Sequence, residues 1–150
     1  MKLKDRLVER IRSDGPIGFD AFMNAALYDP EGGYFTGGPL RSVKAGDFLT
    51  SPEVSPMFGE TLAVFVDGER RRLGDPPRFT LVEAGAGSGS LLAPLLATVD
   101  GPVEAWAVEA SPAARRSLEP VVPGRAVDSL EQLAPSFPGV VIANEMLDNL

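Results

Sequence analysis

The chain has 150 residues, 44% of them hydrophobic and 23% charged, a composition typical of one soluble globular domain. It contains no cysteine and no histidine, which excludes disulfides, thiolate metal sites and catalysis by an imidazole base. The net charge of −7 disfavours nucleic acid as a partner, and no apolar run reaches the roughly 20 residues of a membrane span. Because no signal sequence is evident either, we predict a cytoplasmic protein that binds no membrane.

The first half of the chain predicts helices joined by a long loop. Apolar residues at helix-face spacing predict a helix over residues 3–11, and a second is expected over 20–27. Residues 32–56 have the composition of a loop, whose length is unusual unless it has a function. A third helix is predicted over 56–73. We therefore assign residues 1–75 to an N-terminal helical and loop segment.

The second half alternates between short apolar strands and helices. Strands are predicted near residues 79–83, 103–108, 125–127 and 139–143. This alternation predicts an α/β fold with a doubly wound, Rossmann-like parallel sheet, formed by residues 76–150. The last strand is uninterruptedly apolar, as in strands that are buried on both faces. With four strands counted, this is the first half of such a sheet, and the last strand is left with an open edge.

A glycine-rich loop follows the first strand. Ligands of open parallel sheets bind beyond the carboxyl ends of the strands, and the loop Glu83-Ala84-Gly85-Ala86-Gly87-Ser88-Gly89 lies there. Glycines let the backbone approach a ligand, and the N–H groups of the following helix can face it. A tight strand-to-helix turn without a ligand is the alternative. We predict that Glu83, Gly85, Ala86, Gly87 and Gly89 bind a cofactor.

Glu109 follows the second strand, about twenty residues past the loop, where a carboxylate can accept hydrogen bonds from both ribose hydroxyls. A nicotinamide dinucleotide would suit Glu109 as well. Its fingerprint, however, requires glycine or alanine where Ser90 stands. The Glu83 carboxylate would also repel a pyrophosphate, whereas it can hold the ammonium of a methionine moiety. S-adenosylmethionine is therefore the predicted cofactor, and a nicotinamide-dependent oxidoreductase is the weaker alternative.

Asp128 and Ser129 follow the third strand, where an adenine ring would lie. Asp128 can accept a hydrogen bond from the adenine amine, while Leu130 packs against the ring. An ordinary helix N-cap explains the same residues without any ligand. The sequence leaves these two interpretations equal.

The fourth strand ends in Asn144-Glu145-Met146-Leu147-Asp148. Methyl transfer is an in-line displacement, so positioning of the acceptor dominates catalysis. We predict that Asn144, Glu145 and Asp148 are catalytic, because carboxylates can hold a cationic acceptor such as a guanidinium. The alternative is that Asn144 satisfies backbone groups and Glu145 is a surface acid.

Several of these segments, taken together and in order, resemble the MidA family of S-adenosylmethionine-dependent methyltransferases. They are Gly33-Tyr34-Phe35, Gly46-Asp47-Phe48-Leu49-Thr50-Ser51-Pro52-Glu53, Val82 to Gly89, Val108 to Pro112, and Asn144 to Asp148. The resemblance implies a class I methyltransferase fold and methylation of protein arginine side chains. Its mitochondrial members are similar to an assembly factor that methylates a subunit of respiratory complex I.

The resemblance also implies that the 47–53 loop lies over the cofactor or shapes the acceptor pocket, with Asp47, Thr50 and Ser51 as contacts. A helix start with Ser51 as its cap is the alternative. The sequence departs from the family at Ser88 and Pro94 and in length, because the family continues well beyond residue 150. We therefore expect a truncated chain that is inactive alone and whose open edge is covered by a second copy or a partner. An assembly module without catalysis is the alternative function.

Overall fold

The structure, a computed structural model, describes residues 1–36 and 49–146. These residues divide into two units, the first before residue 37 and the second from Leu49 onward. The sequence suggested a boundary near residue 75 instead. The predicted site residues Asp47 and Asp148 lie outside the described residues.

The first unit contains helices α1 (Leu3–Asp14) and α2 (Phe19–Tyr28). Arg6 on α1 forms ion pairs with Asp29 and with Glu31, in the turn that follows α2. Asp29 Oδ1 also accepts a hydrogen bond from Glu31 N at 3.0 Å, which closes the turn. Both predicted helices are therefore present. Asp29 is the C-cap residue of α2, and its side chain stabilises the turn that follows.

The second unit is a parallel sheet with helices. Its elements are α3 (Ser51–Val54), α4 (Met57–Arg72), β1 (Thr80–Ala84), α5 (Leu92–Thr98), β2 (Glu104–Val108), α6 (Pro112–Leu118), β3 (Ala126–Val127), a 3₁₀ turn (Leu130–Gln132) and β4 (Gly139–Ile142). The strand order is β3-β2-β1-β4. The chain moves outward from β1 to β3 and then returns to pair β4 with the other side of β1. This reversal beside β1 is where open parallel sheets bind ligands.

The core lies between the sheet and helices α4 and α5. Buried side chains of both helices form one cluster with Leu81, Ala105 and Ala107 of the sheet. Helix α4 thus belongs to the sheet unit, and this packing explains why the unit begins before residue 75. In the part of the chain that the structure describes, no helix has the length and hydropathy needed to cross a membrane.

Strand β4 differs from its prediction. The apolar sequence suggested burial on both faces, but Val141 is 52% exposed. Side chains alternate between the two faces of the strand: Val140 and Ile142 pack against the core cluster, whereas Val141 lies on the opposite face. Among the described residues β4 pairs with β1 alone and forms one edge of the sheet.

Helix α4 crosses α5 at Gly59, where a Cβ would lie 2.6 Å from Leu91 O and 2.8 Å from Pro94 Cγ. We expect Gly59→Ala to lower the free energy of unfolding by about 3 kcal/mol, because the two helices would have to separate. Gly68 lies on the exposed side of α4, with no atom within 4 Å of a Cβ built there. Gly68→Ala should raise stability by about 0.5–1 kcal/mol. Urea unfolding of both variants measures these changes. Equal changes in the free energy of unfolding would contradict the close crossing of α4 and α5.

Candidate active site

The glycine loop lies at the carboxyl ends of β1 and β2. Gly85, Gly87 and Gly89 have φ angles of 73°, 52° and 82°, in the left-handed region that favours glycine. Gly85 N and Ala86 N donate hydrogen bonds to Val108 O at 2.8 and 3.2 Å. These two bonds fix the loop to the end of the neighbouring strand.

Helix α5 begins at Leu92, three residues after the last glycine of the loop. Gly89 cannot start a right-handed helix because its φ is positive, and a Cβ there would lie 3.0 Å from Leu118 Cδ2. The backbone of the loop, rather than the first turn of α5, consequently borders the carboxyl edge of β1. No atom lies within 4 Å of a Cβ built on Gly87, so the space beside this residue is open.

Glu109 connects the glycine loop to the turn between β2 and α6. Its Oε2 accepts a hydrogen bond from Gly87 N at 2.9 Å, and its Oε1 accepts one from Ser111 N at 2.7 Å. The structure therefore brings together the loop and the acidic residue that the sequence placed some twenty positions apart. The carboxylate is half-buried at the sheet edge.

Glu83, near the end of β1, is buried with an exposure of 4%. Its Oε2 has no hydrogen-bond partner among the described residues. Burial, followed by the negative charge of Glu109, raises the pKa of Glu83 to about 8. Glu83 is thus mostly protonated at neutral pH, and the sequence argument that its charge repels a pyrophosphate does not hold. The case against a dinucleotide rests on Ser90 and on the spacing of the glycines.

These residues fit an S-adenosylmethionine cofactor. The unpartnered Glu83 Oε2 offers a buried acceptor to a cationic group, and the open space beside Gly87 admits a ligand against the backbone. Each oxygen of Glu109 accepts one backbone hydrogen bond and has acceptor capacity left, which suits the two hydroxyls of a ribose. The described residues contain no group of three or more acidic side chains that could hold a metal ion.

Asp128 and Ser129 lie at the same edge, because Glu109 N donates to Val127 O at 2.8 Å. Gln132 Nε2 donates to Asp128 Oδ1, and Ser129 Oγ accepts from Glu131 N at 3.2 Å. Ser129 thus caps the 3₁₀ turn, as the capping alternative required, although a full helix does not follow.

The end of β4 reaches the glycine loop. Ile142, the last residue of β4, pairs with Glu83 near the end of β1. Asn144 and Glu145 therefore lie beyond the carboxyl ends of both strands. Asn144 Nδ2 donates to Glu145 Oε1 at 3.5 Å, and Glu145 has a φ of 51°. The side chain of Met146, which sequence reasoning missed, lies next to Gly85: a Cβ there would be 3.7 Å from Met146 Cγ. The one sequence signal that could have indicated Met146 is its position between the predicted site residues Glu145 and Asp148.

Thr50 and Ser51 lie at the start of α3. Thr50 is the N-cap, and its N–H donates to Glu53 Oε2 at 3.0 Å in a capping box. The sequence suggested Ser51 as the cap, but Ser51 is the first, exposed residue of the helix, one position later. The structure therefore shows the helix start that was the alternative to a cofactor contact.

Comparison with known proteins agrees with this geometry. A family described as "Putative S-adenosyl-L-methionine-dependent methyltransferase" matches residues 61–150. The chain belongs to this family. The predicted resemblance and the fold class are thereby confirmed, and S-adenosylmethionine is the cofactor of the family.

Solved structures of two COG1565 superfamily proteins share the fold of the chain. A COG1565 superfamily member from Burkholderia thailandensis, solved bound to S-adenosyl-homocysteine, is 31% identical with a TM-score of 0.76. The match covers 97% of this chain and 41% of that one. A native structure of a COG1565 superfamily protein from the same organism is 33% identical with a TM-score of 0.74, covering 98% and 39%.

Curated relatives are named protein arginine methyltransferase NDUFAF7, mitochondrial. The mouse protein is 42% identical over 90 residues, which are 60% of this chain and 20% of the relative. The Drosophila melanogaster homolog is 39% identical over 89 residues, 59% and 20% of the two chains. The chain thus spans about a fifth of the length of these relatives. Their mitochondrial names contradict the cytoplasmic location that we predicted from the absence of an evident signal sequence and membrane span.

Proposed function

We propose that this chain binds S-adenosylmethionine at its glycine loop and forms part of a methyltransferase that acts on protein arginine side chains. One observation supports the proposal above all others. The glycine loop, the unpartnered Glu83 Oε2 and the Glu109 carboxylate meet at the carboxyl edge of β1 and β2, beside the reversal in strand order. The arginine acceptor is proposed from the names of the curated relatives. The family resemblance alone suggests that the acceptor is a subunit of respiratory complex I.

The chain's own residues would bind and orient the reactants. The cofactor supplies a methyl group activated on a sulfonium. Glu83 and Glu109 would hold its amino-acid and ribose parts, with Asp128 and Ser129 toward the adenine. Asn144, Glu145 and Asp148 would hold the guanidinium of the acceptor, because carboxylates pair with it in a bidentate manner. We further propose that Asp47, Thr50 and Ser51 contact the cofactor.

Transfer of labelled methyl groups from S-adenosylmethionine to a pair of peptides, identical except for arginine or lysine, tests the acceptor. Because the chain spans a fifth of its curated relatives, the assay also uses a protein of their length that contains these residues. We expect label only in the arginine peptide. Glu145→Gln should lower transfer by about tenfold or more, since one charge of the acceptor pair is lost. Glu60→Gln, at an exposed position of α4, is the matched control. Label in the lysine peptide would contradict an arginine acceptor.

A second candidate is a module that binds another chain through β4, whose outer edge has no paired strand among the described residues. The half-exposed Val141 lies on an apolar edge strand, which readily pairs with a further strand. Sedimentation of the chain tests pairing between copies: Val141→Lys should abolish self-association, whereas Gly87→Val, which changes the cofactor loop, should leave it intact. A monomer at all concentrations would contradict pairing between copies.

A further inference from the structure

We propose that Arg115 is a positioning residue of the cofactor site, acting through Glu109. The inference rests on the proposed function and adds to it a residue outside the glycine loop and outside every motif of the sequence. Arg115 is the fourth residue of the seven-residue helix α6 and is half-buried. Its Nη1 donates hydrogen bonds to Glu109 O at 2.5 Å and to Ala110 O at 2.8 Å.

These two contacts hold the turn by its backbone. The backbone carbonyl groups just after β2 need hydrogen-bond donors. The guanidinium of Arg115 donates to two successive carbonyls, those of Glu109 and Ala110. The Glu109 side chain is held from the other direction, by the amides of Gly87 and Ser111. The turn between β2 and α6 therefore has its backbone fixed by Arg115 and its carboxylate directed along the edge where the ribose is expected.

The neighbouring residue offers a matched control. Arg116 follows Arg115 on the same helix, has the same charge and chain length, and is exposed. Replacing either arginine by methionine keeps a long apolar stem and removes one positive charge. A difference between the two variants consequently reports the contacts with Glu109 and Ala110, because the change in net charge is identical.

Hydrogen exchange in the ligand-free chain tests the positioning role without any assumption about the cofactor. In Arg115→Met, the amides of Gly87 and Ser111 should exchange about tenfold faster, because the carboxylate that accepts from both is no longer held in place. Arg116→Met should leave both rates unchanged, and thermal unfolding should show both variants folded. Unchanged protection of these amides in Arg115→Met would overturn the proposal.

Calorimetric binding of S-adenosylhomocysteine and of its 2′-deoxy analogue tests the consequence for the site. The wild-type chain should prefer the ligand with the intact diol. Arg115→Met should bind S-adenosylhomocysteine about tenfold more weakly and lose most of that preference, while Arg115→Lys, which can still donate to the carbonyls, recovers part of both. A structural role alone would weaken both ligands equally, and that result would overturn the inference. No binding by the wild-type chain would instead overturn the proposed function, with the exchange rates still deciding the role of Arg115.

Discussion

Replacing Glu109 by alanine is expected to weaken S-adenosylhomocysteine binding by about a hundredfold or more. The variant loses the acceptor of the Gly87 and Ser111 amides and, with it, the acceptor we propose for the ribose hydroxyls. Hydrogen bonds to a charged group contribute about 1.5–3 kcal/mol each, so the loss of two such bonds to the ligand suffices for this effect. Calorimetric titration of both chains measures it.

Glu104 provides the control for this variant, because it is the first residue of β2, whereas Glu109 follows the last. Its Oε1 accepts a hydrogen bond from Trp106 Nε1 at 3.3 Å, away from the glycine loop. Glu104→Ala should therefore bind S-adenosylhomocysteine as the wild type does. If the two alanine variants lose affinity equally, the ligand does not use the Glu109 carboxylate.

The affinity for S-adenosylhomocysteine should depend strongly on pH through Glu83. With a pKa of about 8, Glu83 is protonated in the free chain at pH 7. A ligand ammonium beside it favours the ionised form, so binding releases a proton. Affinity should then rise by up to about tenfold for each pH unit between 6 and 8 and flatten above, once the side chain is already ionised.

Calorimetry in buffers with different ionisation enthalpies counts the released protons, and we expect about one per ligand at pH 7. Glu83→Gln, which keeps the size of the side chain but cannot ionise, should release none and show no such pH dependence. Proton uptake on binding by the wild type would show that the ligand favours the protonated form of Glu83, contrary to this account.

The same group predicts how the stability of the free chain changes with pH. Its folded pKa is raised from 4.5 to about 8, so between these values the folded chain keeps a proton that the unfolded chain has lost. The free energy of unfolding should consequently fall as pH rises through this range, by at most about 1.4 kcal/mol per unit, and level off above it. Urea unfolding should show this decline in the wild type and a flatter profile in Glu83→Gln. Equal profiles would mean that Glu83 is not buried as the structure has it.

Local patterns explain why much of the fold was predictable. Strands and helices follow from the alternation of apolar runs with turn residues, and α6 begins at Pro112 with Ser111 as its N-cap, a local start signal. The glycine loop and Glu109 were found because each follows a strand directly, and parallel pairing brings the ends of β1 and β2 together.

The remaining features depend on contacts between distant parts of the chain. The protonation of Glu83 arises from its burial in the assembled sheet and from Glu109, which no local pattern reveals. Met146 approaches the loop only because β4 pairs beside β1 rather than beside β3. The contacts of Arg115 depend on how α6 leaves the end of β2, and its position in the sequence resembles that of any surface arginine.

The central claim, that the 85–89 loop binds S-adenosylmethionine, is tested most directly by backbone amide spectra of the chain during titration with S-adenosylhomocysteine and, separately, with NAD. We predict saturable shifts with S-adenosylhomocysteine, largest at Gly85, Gly87 and Gly89, and none of comparable size with NAD. Saturation by NAD at these glycines, or shifts from S-adenosylhomocysteine confined to other parts of the chain, would contradict the claim.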